Sequence, residues 1–108
     1  MNESLNAGYL EHLYRICESR KGGDSKESYI ASLYQKGHLH IAQKLGEEAV
    51  ETAIAASVRD RDGIINESAD LLFHWLILLA DAGIPIADVL NEMQRREGTS
   101  GLTEKASR

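Results

Sequence analysis

Apolar residues recur along the chain at spacings of three and four, and alternating apolar–polar runs are absent. That is the period of a helix, and it predicts an all-α protein. Leu5, Tyr9, Leu13 and Ile16 fall on one face of a first helix over 3–20, which stops at Gly22 and Gly23. Asp24 followed by Glu27 reads as a capping-box-like start for a short second helix. It should turn Tyr29, Ile30, Leu33 and Tyr34 inward and end at Gly37. A third helix is expected over 38–59 and a fourth over 62–81, closed at Gly83. The single proline, Pro85, opens a fifth over 85–97 with Ile86, Val89, Leu90 and Met93 at helical spacing. A small polar tail follows, basic at its end. There are no repeats and no linker, so one domain over 1–108 is expected.

Two of these helices are unusual. On the third, Lys44, Glu47, Glu48 and Glu51 share an arc of about 100° at about 100° per residue. Most of the remainder is apolar, with Val50 and Ile54 beside one edge of the arc and Ile41 and Leu45 beside the other. On the fourth, Glu67 and Asp70 are three apart and share a face. From 71 to 80 that helix is apolar on every side except at His74. A helix apolar all round must be surrounded by protein. Four or five short helices can scarcely encircle it, so the expected fold is an all-α helical bundle of about five helices completed by homodimerisation.

Charge sharpens the picture. Burying an unpaired carboxylate costs several kcal/mol, and two carboxylates about 4 Å apart repel by about 4 kcal/mol at an effective dielectric of 20. Facing buried stripes that carry Glu48, Glu51, Glu67 and Asp70 therefore call for a cation between them, and Lys44 alone is too little. Mg²⁺ is the usual hard cation at carboxylate sites. Taken singly, the acidic stripe of the third helix reads as a solvated face, and Glu67 and Asp70 as complements to a helix N-terminus. It is the joint pattern that favours a metal site. Neither acidic pair is Glu-x-x-His, so a di-iron bundle does not fit. His74 reads as a satisfied core histidine, Cys17 as a packed small hydrophobe and Tyr29 and Tyr34 as core. Arg20 and Lys21 before Gly22-Gly23 make an anion-binding turn plausible, and Lys105 and Arg108 either clamp phosphates or belong to a solvated end.

The overall balance of 12 basic and 17 acidic residues, a net charge of −5, has no basic block and argues against long nucleic acid as a partner. One cysteine excludes an intrachain disulfide. The apolar run over 71–80 is about half of what a bilayer crossing needs, so no membrane association is expected. No basic-then-apolar leader opens the sequence, and a cytoplasmic location is expected.

Gly46-Glu47-Glu48-Ala49-Val50-Glu51 followed by Asn66-Glu67-Ser68-Ala69-Asp70-Leu71 resembles the paired E-E-x-x-E and E-x-x-D signature of the MazG-like all-α nucleoside triphosphate pyrophosphohydrolases. Three further stretches narrow the match. They are Arg20-Lys21-Gly22-Gly23-Asp24 with Ser28-Tyr29, Ile41-Ala42-Gln43-Lys44-Leu45-Gly46, and the ending Gly101-Leu102-Thr103-Glu104-Lys105-Ala106-Ser107-Arg108. With them the chain is similar, from about Leu13 to Arg108, to the phosphoribosyl-ATP pyrophosphohydrolase family. His40 departs from the lysine expected before Ile41, and Ile30 from the threonine expected after Ser28-Tyr29.

The resemblance implies Mg²⁺-dependent hydrolysis between the α and β phosphates of phosphoribosyl-ATP, giving phosphoribosyl-AMP and pyrophosphate in the second step of histidine biosynthesis. It implies Glu48, Glu51, Glu67 and Asp70 as metal ligands and Glu47, Glu48 and Glu51 as the catalytic carboxylates, with the reacting water either metal-bound or held by a carboxylate such as Glu47. Lys44, Arg20 and Lys21 are the implied phosphate contacts, with Lys105 and Arg108 beside them. Two alternatives stay open from the sequence. One is a house-cleaning nucleotide pyrophosphatase of the same superfamily; the other is a non-catalytic helical dimerisation module.

Overall fold

The protein is described here over residues 8–98, in a computed structural model. Among these residues five helices form and no strand does: α1 (Gly8–Ser19), α2 (Tyr29–Lys36), α3 (His38–Ser57), α4 (Arg61–Ala82) and α5 (Ile86–Arg96). The all-α expectation holds, with helix ends within a few residues of those read from the sequence. Leu5 and the start of the expected first helix lie outside the described residues.

Three local readings change. In α1 the inward face is Leu10, Leu13, Tyr14 and Cys17, a full i, i+3, i+4, i+7 set, whereas Tyr9 is exposed. The second helix does not start at Asp24. There the Asp24 carboxylate accepts from the Lys26 N–H at 2.9 Å and the chain turns over itself. The helix cap is Ser28, whose hydroxyl oxygen accepts from the Ala31 N–H at 3.1 Å. Tyr29, the first residue of α2, is therefore half-exposed rather than core. In α5, Ile86 is buried and Val89 packs on the core, but Leu90 and Met93 face outward.

α3 and α4 form the central hairpin. Asp60 caps α4, its carboxylate accepting from the Gly63 N–H at 3.1 Å. Gly63 suits that cap: an added Cβ would run into the Asp60 carboxylate and push it from its capping position. α4 ends at Gly83 in the left-handed region (φ 71°), its N–H and that of Ile84 closing on the carbonyls of Ala80 and Leu79. The Tyr14 hydroxyl donates to the Ile84 carbonyl at 2.8 Å and fastens α1 to this turn. The Tyr34 hydroxyl donates to the Cys17 carbonyl at 2.7 Å and fastens α2 to α1. Cys17 is fully buried and unbridged, as a packing residue.

The core is built around the C-terminal half of α4, where Leu76, Ile77, Leu79 and Ala80 are all buried. One chain covers this half, with α1 and α5 supplying walls, whereas Leu72, earlier in the apolar run over 71–80, stays exposed. What stays uncovered is apolar surface nearer the other end of the hairpin. Val50 and Ile54 of α3, Val58 just after it, and Ile65 and Leu72 of α4 are each about half or more exposed. By length and composition α4 also meets the requirement for a membrane span, yet its apolar centre is the core of this bundle.

Candidate active site

The three buried residues of α3 are Ile41, Glu48 and Ala55. They are seven apart, so they form one stripe down the face that packs inward. Its central position is a carboxylate. At 7% exposure Glu48 sits where a core leucine would serve stability better. Across the hairpin, Glu67 and Asp70 come from successive turns of α4, and one ligand oxygen from each of Glu48, Glu67 and Asp70 lies within 4.8 Å of the others. Glu51, one turn on from Glu48, has its carboxyl within hydrogen-bonding reach of both Glu48 and Glu67.

This is an electrostatic conflict. Glu48 Oε2 and Glu67 Oε2 are buried without a hydrogen-bond partner. Burial raises the Glu48 carboxyl above the usual carboxylate range, and the neighbouring Glu51 raises it further. Glu67 is pushed up to about 7, first by the hydrogen bond with Glu51, which demands a shared proton, then by burial and the charges of Glu51, Glu48 and Asp70. Three converging carboxylates, two of them with an orphaned buried oxygen, are what a hard, oxygen-seeking divalent cation takes as ligands. The residues present fit such an ion.

Among the described residues, Lys44 is the cation that stands beside them. The Lys44 ammonium lies 3.3 Å from Glu47 Oε2 and 3.9 Å from Glu48 Oε1. Glu47 is exposed, outside the converging trio, and also accepts from Gln43 Nε2 at 3.0 Å. These two contacts hold its carboxyl below the usual range, Gln43 foremost. Arg20 and Lys21 lie on the exposed turn after α1, where the Lys21 ammonium rests 5.9 Å above the centre of the Tyr34 ring. Lys105 and Arg108 lie outside the described residues.

His74 is buried and satisfied. Its Nδ1 is 2.7 Å from the Asp70 main-chain oxygen, and its Nε2 is 2.9 Å from the Tyr29 hydroxyl. Tyr29 was not singled out for the site by its sequence position. Two signals point to it: its place in the Ser28-Tyr29 stretch that resembles the family, and its position directly after the Ser28 cap.

The matching family model is phosphoribosyl-ATP pyrophosphohydrolase, over residues 10–97. A phosphoribosyl-ATP pyrophosphatase of Rhizorhabdus wittichii is 58% identical over 101 residues, 94% of this chain and 95% of that protein. The phosphoribosyl-ATP pyrophosphatase of Parvibaculum lavamentivorans is 54% identical over 97% of this chain and 96% of its own. That of Paramagnetospirillum magneticum is 52% identical over 92% and 91%. With its acidic hairpin and near-full-length relatives, the chain belongs to the phosphoribosyl-ATP pyrophosphohydrolase family.

Proposed function

We propose that the protein hydrolyses the α–β phosphoanhydride of phosphoribosyl-ATP, releasing phosphoribosyl-AMP and pyrophosphate in histidine biosynthesis, and that it does so with Mg²⁺. The observation that carries the reading is the carboxylate of Glu48 in the middle of a core stripe, with Glu67 and Asp70 converging upon it. Glu48, Glu67 and Asp70 would hold the ion, with Glu51 completing the set. The ion's contribution when bound is to neutralise the triphosphate and favour departure of pyrophosphate. Among the described residues Lys44 is the cation beside the carboxylates and would meet a phosphate oxygen, and Glu47, which anchors Lys44, is an exposed carboxylate able to orient water. Arg20 and Lys21, and beyond the described residues Lys105 and Arg108, are the further phosphate contacts that the family resemblance implies.

We further read the chain as one domain that works as a homodimer or higher homo-oligomer in the cytoplasm. Support for association is the large apolar side chains that one copy leaves exposed, Val50, Ile54 and Val58 on one arm of the hairpin and Ile65 and Leu72 on the other. Incubation with phosphoribosyl-ATP and Mg²⁺, with both products identified, tests the activity. Phosphoribosyl-AMP and pyrophosphate are expected. Preferential turnover of ordinary or modified nucleoside triphosphates would replace the substrate with a house-cleaning role, and no turnover of either class would leave a dimerisation module.

A further inference from the structure

Asp70 has a second place in the geometry. Besides converging with Glu48 and Glu67, it lines a cavity of about 510 Å³ between α1 and α4. That volume falls within the range of small-molecule sites, about 300–1,000 Å³. Tyr9, Leu10 and Leu13 of α1 form one wall, and Phe73 and Leu76 of α4 the other. Among the described residues Asp70 is the one charged member of the lining, and it stands toward the N-terminal end of the α4 row. At about 1.5 Å per residue, Phe73 follows it by about 4.5 Å along the helix axis and Leu76 by about 9 Å. The cavity therefore runs from a carboxylate of the cluster into an apolar, aromatic interior on the scale of a ribose and a base.

Its two aromatic rings differ in freedom. The Phe73 ring is fixed, stacked on Tyr29 with centroids 6.5 Å apart at 17° and edge-on to His74 at 5.5 Å. The Tyr9 ring only tilts against His12, at 6.1 Å and 37°, and is 40% exposed. An aromatic face left open beside an apolar cavity is a platform for a planar ring. A second cavity, of about 280 Å³, touches the cluster at Glu51 and Glu67. It adds Asp60 as a third carboxylate and has no aromatic ring in its lining, so it suits a base less well. We propose that the α1–α4 cavity is the base subsite: the purine of phosphoribosyl-ATP packs against Tyr9, Leu13 and Phe73 while its triphosphate leads back past Asp70 to the carboxylates. The subsite rests on the proposed function, which supplies the purine. Leu72 also lines the cavity, so a second copy of the chain is the rival occupant. Asp70 decides for the base, since a copy seated there would cover a carboxylate that the substrate must reach.

The test uses phosphoribosyl-AMP, the product, which keeps the base and is not turned over. Nuclear Overhauser contacts from its base protons to the methyl groups of Leu10 and Leu13 are expected. Tyr9→Ala, at a half-exposed position, should raise its dissociation constant about tenfold, and KM for phosphoribosyl-ATP in step. Tyr9→Trp should bring both back to within about twofold of wild type. Inhibition by pyrophosphate, which has no base, should be the same in Tyr9→Ala as in wild type. No contact from the base to either leucine, or an equal loss of pyrophosphate inhibition in Tyr9→Ala, overturns the proposal. So do contacts from Tyr9 and Leu13 to a second copy in a mixed-isotope sample holding the product. A wild type inert on phosphoribosyl-ATP that binds AMP with the same leucine contacts keeps the subsite and loses the substrate reading alone.

Discussion

The two halves of α4 answer the same physical problem in opposite ways. Its C-terminal half surrounds Leu76, Ile77, Leu79 and Ala80 with apolar side chains of its own chain, and nothing further is needed there. Its N-terminal half sets Glu67 and Asp70 against the buried Glu48 and leaves Ile65 exposed, with Leu72 exposed at the midpoint. One end is finished by the fold. The other is built at the expense of stability, and its conflict is removed only by binding. That is the ordinary relation between a scaffold and a functional site on it.

The contrast can be broken by substitution. Glu48→Gln should lower kcat by about a thousandfold or more while helicity by circular dichroism is retained. Because it removes a buried charge, the same change should raise the thermal midpoint of the metal-free protein. Near-normal turnover would take Glu48 out of the ligand set. At the finished end, Leu76→Ala should cost about 3 kcal/mol in denaturant unfolding, since it empties a fully buried site. Leu72→Ala, at the exposed end, should cost well under about 1 kcal/mol within one copy. Leu72→Glu should leave the helices formed but shift sedimentation toward the monomer.

The pH dependence sharpens the comparison further. With its folded pKa raised from 4.5 to about 7, Glu67 binds a proton in the folded protein that the unfolded chain has already released. Its contribution to stability is therefore fully present below 4.5 and lost as pH rises toward about 7. In chelator, Glu67→Gln should flatten the fall of the thermal midpoint across that window relative to wild type. Added Mg²⁺ should do the same in the wild type, by binding the ionised form. Smallest is Ser28→Ala, which removes the α2 cap and should cost about 1 kcal/mol.

Much of this was legible in advance, for identifiable reasons. Helical period, Gly37 and Gly83 as stops and Pro85 as a start are local signals, and each helix falls close to where they place it. The paired acidic spacing marked Glu48, Glu67 and Asp70 before any coordinates did. The start of α2 was misread because Asp24 and Ser28 both suit a cap and the choice between them depends on what the following turn packs against. Tyr29 was misread for the same reason: once Ser28 is the cap, the aromatic ring belongs to an end of the helix and not to its inner face.

The sequence by itself determined the helices and the residues able to hold a cation, because both depend on spacing within a few turns of one backbone. Only the tertiary structure decided that Glu48 lies at the centre of the inward stripe, that one chain closes around Leu76 and Ile77, and that His74 ties Tyr29 to the Asp70 turn. A periodic pattern fixes angles within a helix but not which face meets which neighbour. Those choices join residues tens of positions apart, and they are made by packing across the whole bundle.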